Sequence, residues 1–161
     1  MRAPYQILAI PYRIINGNIL FCVLHRADID YWQFIAGGGE DKETPIEAAK
    51  REILEEVGVE IINMCKDIKE TKRESVLTNQ LMRSGTSIGA NIHESKYAHG
   101  TADFISKMQI ALKECYESEY WLELLNRTDY IEDETYKSLI NSCGQIRRML
   151  ISSINTIKTK K

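Results

Sequence analysis

Apolar residues fall at steps of three, four or seven along nearly all of the chain after Thr44, a spacing that suits little besides packed amphipathic helices. Ile46, Ala49, Ile53 and Val57 make one stripe, and Ile61, Cys65 and Ile68 carry the same steps past Gly58. Leu77, Leu81, Ile88 and Ile92 form a second series. Ile105, Met108, Leu112, Cys115, Leu122 and Leu125 form a third, and Leu139, Cys143, Ile146, Leu150 and Ile157 a fourth. Polar breaks such as NRTDYIEDE at 126–134 suit turns between antiparallel neighbours. Residues 60–161 are therefore predicted to form an all-α antiparallel four-helix bundle.

The texture before Thr44 is different. YQILAIPYRI and ILFCVLHR are rich in β-branched and aromatic residues and flank Asn16-Gly17, two residues that tolerate positive φ, so this segment predicts a β-hairpin. A third short strand, YWQFIA, leads into Gly37, Gly38 and Gly39. Thr44-Pro45-Ile46-Glu47 is a capping box with proline at the first helical position, where its missing N–H costs nothing. Gly58 suits a helix stop, yet the apolar steps cross it, so the helix opened at Pro45 either ends there or continues into, or docks along, the first bundle helix. The expected class is α+β, with domains at 1–59 and 60–161.

A hydrophobic fraction of 43% and a charged fraction of 27% exclude disorder as the default. A net charge of −2 neither calls for nor excludes a nucleic-acid partner. Cys22, Cys65, Cys115 and Cys143 lack the close pairing of thiolate metal sites and lie on apolar stripes, so reduced, buried thiols are expected. His25, His93 and His99 are far apart and without a nucleophile beside them, which suits surface or capping roles. The N-terminus has no signal-peptide pattern and no run approaches a membrane span, so a cytoplasmic location with no membrane partner is expected.

One stretch carries chemistry. Glu52, Glu55 and Glu56 stand at i, i+3 and i+4, which places three carboxylates on one side of a helix. Like charges that close resist joint ionisation unless a cation sits among them. Mg²⁺, with Mn²⁺ as a substitute, accepts hard oxygen ligands, keeps waters, bridges phosphate oxygens and activates an attacking water. Gly37, five residues, Glu43, seven residues and then REILEEVGV meet every fixed position of the Nudix box, and residues 1–59 resemble Nudix pyrophosphohydrolases. The resemblance implies Glu55 and Glu56 as catalytic residues, and Glu52, Glu55, Glu56 and a carbonyl of the Ala36–Gly37 loop as metal ligands. It also implies that Glu43 with Arg51 braces that loop and that Gly38 and Gly39 let it turn sharply. The substrate would be a nucleotide carrying a di- or triphosphate, cleaved at a pyrophosphate bond.

The remainder resembles a different family. ESVLTNQLMRSGTSIGANIHES and DFISKMQIALKECYESEYWLELL are similar to the four-helix-bundle proteins first noticed in intervening sequences of large-subunit ribosomal RNA genes, with relatives that serve as accessory proteins in diversity-generating retroelements. That resemblance implies homo-oligomeric rings and, for some members, nucleic-acid binding. Gly85 and Gly89, four apart among small residues, each weaken a helix by roughly 1 kcal/mol relative to alanine. Close packing against a neighbouring helix is the expected compensation. Tyr116, Tyr120 and Trp121 can stack on bases, although core or subunit packing is the commoner use of aromatics on a long helix. The chain thus reads as a fusion of a Nudix-box fragment with an oligomerisation or nucleic-acid-associated bundle. The alternative is a non-catalytic bundle scaffold carrying a dead Nudix remnant.

Overall fold

The computed structural model describes residues 2–9, 12–15, 18–21, 24–26, 31–33, 35–40 and 45–159, and the side chains of residues 51, 54, 55 and 57–159. The chain divides into two compact units, Met1–Ile53 and Leu54–Lys161. In the first unit, β1 (Arg2–Ala9) pairs with β6 (Ile35–Glu40), β2 (Tyr12–Ile15) with β3 (Asn18–Phe21), and β4 (Leu24–Arg26) with β5 (Tyr31–Gln33), all antiparallel. These are three separate two-stranded ladders, and among the described residues nothing joins them into a common sheet.

The α+β expectation is corrected by this architecture. An α+β domain needs helices packed over one sheet that buries a face, whereas here the chain from Pro45 to Thr159 is helical apart from three short links. Residues 54–159 contain no strand. The fold is that of a four-helix bundle. Helix α1 (Pro45–Thr71), α2 (Val76–Ser95), α3 (Thr101–Arg127) and α4 (Asp133–Thr159) follow the four apolar series. Proline opens α1 as its fixed φ allows; Thr44 and the Asn16-Gly17 turn lie outside the described residues. Gly58 does not end α1.

Partners across the bundle show that the helices alternate in direction, because numbers rise on one helix as they fall on the next. Ile61 meets Gly85 and Lys69 Nζ donates to Asn79 Oδ1 at 2.7 Å, which sets α1 against α2. Arg83 pairs with Glu114 and Glu117, while Lys107 pairs with Glu94, which sets α2 against α3. Cys115 meets Cys143 and Asn126 meets Asp133, which sets α3 against α4. Ile61, Cys65, Leu81, Leu122, Leu125, Leu139 and Cys143 are wholly buried in the shared core. Three described cysteines, Cys65, Cys115 and Cys143, are free thiols in that core, and Cys22 lies outside the described residues.

The helix ends use chemistry that the sequence patterns did not flag. Ser75, just before α2, makes no side-chain cap. Its neighbour Glu74 accepts from the N–H groups of Leu77 at 2.8 Å and Thr78 at 3.0 Å. Burial opposes ionisation of that carboxyl, but the backbone N–H groups outweigh it and hold the carboxyl below its ordinary range. The end of α3 is a Schellman turn, with Tyr130 N donating to Leu125 O at 2.8 Å and Asp129 N to Asn126 O at 3.1 Å. Asp129 has φ 59° there, and Arg73, after α1, has φ 54°. Glycine usually fills such left-handed positions, so neither turn carries its usual sequence signature.

Candidate functional site

The box residues fall on two different elements. Gly37, Gly38 and Gly39 lie within strand β6, where Gly37 pairs with Ile7 and Gly38 with Gln6. Arg51, Glu52, Glu55 and Glu56 lie together on α1. Helical spacing puts the three glutamates on neighbouring turns of one side. Glu55 is exposed and Arg51 half-buried. The side chains of Glu52 and Glu56, and all of Glu43, lie outside what the structure describes. Among the described residues, no three His, Cys, Asp or Glu side chains gather as metal ligands would.

The apolar side of the same helix has a definite use. Val57, inside the box, is 7% exposed, and the burial continues through Ile61, Cys65 and Ile68. Two residues on, Val59 is 56% exposed. The last turn of the box is therefore built into the bundle core, with no break at Gly58.

The two bundle glycines have different surroundings. A Cβ on Gly85 would stand 2.9 Å from Ile61 Cδ1 and 3.2 Å from its Cγ2, so α2 carries at Gly85 a notch filled by an α1 side chain. A Cβ on Gly89 would meet no described atom within 4 Å. Beside Gly85, the buried Ser118 hydroxyl donates to Ser84 Oγ at 2.9 Å, and Ser84 passes its own proton to Leu81 O at 3.2 Å. These two bonds satisfy both buried hydroxyls and fix the register of α2 on α3. Periodicity alone misses it, since serine at a core position looks like an interruption of the stripe.

Two polar clusters lie on the outer faces of α3. Arg83 binds Glu117 and Glu114, and Trp121 Nε1 donates to Glu117 Oε1 at 3.1 Å. The Arg83 hydrogen bond, followed by that of Trp121, holds the Glu117 carboxyl below its ordinary range. On the α4 side the Arg147 guanidinium lies 5.4 Å from the Tyr116 ring centroid, and its Nε is 3.1 Å from Glu119 Oε1. Tyr116 and Tyr120 are exposed, and Tyr120 meets Trp121 edge-on at 4.9 Å between ring centroids. Of the expected aromatic trio, Trp121 is half-buried and serves an intrahelical hydrogen bond.

Glu60 on α1 is half-buried, and burial raises its pKa. Because the folded state favours the neutral acid, the stability it contributes is full below the ordinary carboxylate pKa and is lost as pH rises through the raised value. Glu60→Gln is expected to raise the thermal midpoint relative to the parent at about pH 8 and to leave it nearly unchanged at about pH 4. Circular dichroism melts at the two pH values check the sign. A gain confined to the acidic sample would contradict it.

No helix among the described residues is long and apolar enough to cross a membrane. The comparisons with known proteins divide along the chain. A crystal structure of a protein of unknown function from the S23 ribosomal protein family of Bacteroides thetaiotaomicron VPI-5482 is 48% identical, with a TM-score of 0.64, over 65% of this chain and 97% of that one. The N-terminal region is Nudix-like over short segments. It matches RNA pyrophosphohydrolases from Bartonella bacilliformis, 41% identical over 39 residues or 24% of this chain, and from Halorhodospira halophila, 50% identical over 44 residues or 27% of it. The matches span only 23% of the length of each of these curated relatives. Residues 53–152 match the family described as 23S rRNA-intervening sequence protein, a span that takes in nearly all of the bundle and begins inside the box. The chain belongs to the 23S rRNA-intervening sequence protein family.

Proposed function

We propose that the chain acts as a non-catalytic four-helix-bundle scaffold carrying a Nudix-box remnant. The observation that supports this reading most directly is Val57: the box places it on the apolar side of its helix, and here it lies in the bundle core with Ile61, Cys65 and Ile68. A helix side committed to one core is not free to seat on a second scaffold. The short span of the pyrophosphohydrolases that is matched, 23% of each, points the same way. The partners proposed for the bundle surface are further copies of the chain and nucleic acid.

A second reading is a metal-dependent pyrophosphohydrolase, favoured by the register of Glu52, Glu55 and Glu56 on α1. In that reading the three carboxylates and the Gly37 carbonyl hold Mg²⁺ or Mn²⁺, Glu43 and Arg51 brace the loop, and the substrate is a nucleotide or an RNA 5′-triphosphate. Pyrophosphate release decides between the two. With Mg²⁺ or Mn²⁺, the parent chain is expected to release no more than its Glu55→Gln and Glu56→Gln variants from nucleoside triphosphates or 5′-triphosphate RNA. A parent rate 100-fold or more above both variants, on the order of one removed acid–base group, would restore the enzyme reading and end the scaffold-only one.

A further inference from the structure

The three cysteines of the bundle differ in their company. Cys115 on α3 and Cys143 on α4 are both free and 0% exposed. The Cys115 thiol donates to the Cys143 carbonyl at 3.3 Å, and Cys115 is near enough to act on the ionisation of the Cys143 thiol. The charged groups acting on Cys65 are Lys69 and Glu74, with no second thiol among them. A disulfide needs Cβ atoms about 3.5–4.5 Å apart. A thiol already within 3.3 Å of its partner's backbone carbonyl needs only a small side-chain rotation and local adjustment to approach that geometry with both helices in place.

We propose that Cys115 and Cys143 form a redox-sensitive cross-link between α3 and α4, closed by exchange with a low-molecular-weight disulfide such as oxidised glutathione. The closed bundle resists the reaction. The hydrogen bond with Cys115, then burial, push the Cys143 thiol well above its ordinary range, and the thiolate is the form that attacks. Exchange therefore starts when the α3–α4 seam opens locally. One protein thiolate attacks oxidised glutathione, a mixed disulfide forms, and the first glutathione leaves and takes up the proton. On reclosure the second protein sulfur attacks the protein-bound sulfur of the mixed disulfide. The Cys115–Cys143 bond forms, and the second glutathione leaves with the second proton. Two protein thiols are oxidised and one glutathione disulfide is reduced to two thiols. The product staples residues 28 positions apart across one seam of the bundle.

The test uses the full chain, incubated natively with oxidised glutathione, alkylated and digested with trypsin. The expected product joins peptide 114–127 to peptide 138–147, while Cys65, whose thiol burial pushes up to about 11, stays unmodified by glutathione. The thermal midpoint is expected to rise by roughly 5–15 °C and to return on adding dithiothreitol. In Cys115→Ser the rise disappears and any Cys143 adduct with glutathione stays unresolved. Should that variant fail to fold, the peptide map and the dithiothreitol reversal of the parent still decide. Both cysteines left free, or both capped by glutathione with no joined peptides, would overturn the proposal.

Discussion

Ile61→Ala lowers the stability of the bundle by about 2–5 kcal/mol, the range for removing a fully buried isoleucine where neighbours collapse only partly. Ile61 is 0% exposed and its Cδ1 and Cγ2 fill the space that a side chain on Gly85 would occupy. The two positions must therefore couple. In the parent chain Gly85→Ala gains about 1 kcal/mol of helix propensity and loses about 1–3 kcal/mol to overpacking, for a net loss or near balance. In the Ile61→Ala background the obstruction is gone, and the same substitution should stabilise by about 1 kcal/mol. A double-mutant cycle by urea denaturation should give a coupling of about 1–3 kcal/mol. Gly89→Ala, where no described atom lies within 4 Å, serves as the control and should gain about 1 kcal/mol in either background. Additive effects at 61 and 85 would mean that the notch does not exist.

Gly58→Pro has an effect of similar size by a different route. In a continuous α1, proline at 58 removes the bond to the carbonyl four residues back and its ring presses on that carbonyl, costing about 3 kcal/mol or more. Were the helix to stop at Gly58, proline near its end would cost little. Gly58→Ala, with no described atom within 4 Å of the added carbon, should instead stabilise by about 1 kcal/mol. Denaturation midpoints and helical circular dichroism of the two variants separate the cases. A proline variant as stable as the parent would place the end of the helix at the glycine.

These pairs show where sequence patterns lose their grip. The steps of three and four located α2, α3 and α4 well, because burial of one stripe per helix is written directly in residue order. Local signals at Gly58 conflicted: glycine favours a stop, while Val57 and Ile61 demand one continuous buried side. Tertiary burial decided for continuity. Gly85 and Gly89 are indistinguishable in sequence context, and only the neighbour across the interface separates them. The α2 cap was missed because glutamate, rather than serine, holds the free N–H groups. The paired N-terminal segments were legible as strands, but β-propensity does not say whether ladders merge, and here the three described ladders stay apart. Of the box, sequence supplies the register of the glutamates on α1. Whether they ever hold a cation depends on partners across space, which residue order does not encode.

Lys72 reaches from the α1–α2 link to the α3–α4 link, donating to Asp129 O at 2.8 Å and to Tyr130 O at 3.1 Å. One ammonium thus clasps its own bend to another through two carbonyls, 57 and 58 residues away along the chain. Among the described residues of the bundle, the opposite pole carries the α2–α3 bend at 96–100 and the end of α4, and no comparable clasp between bends is described there. Unzipping should accordingly begin at that pole, and amide exchange should slow stepwise along each helix toward the clasp, so that the last protons to leave are those nearest Lys72.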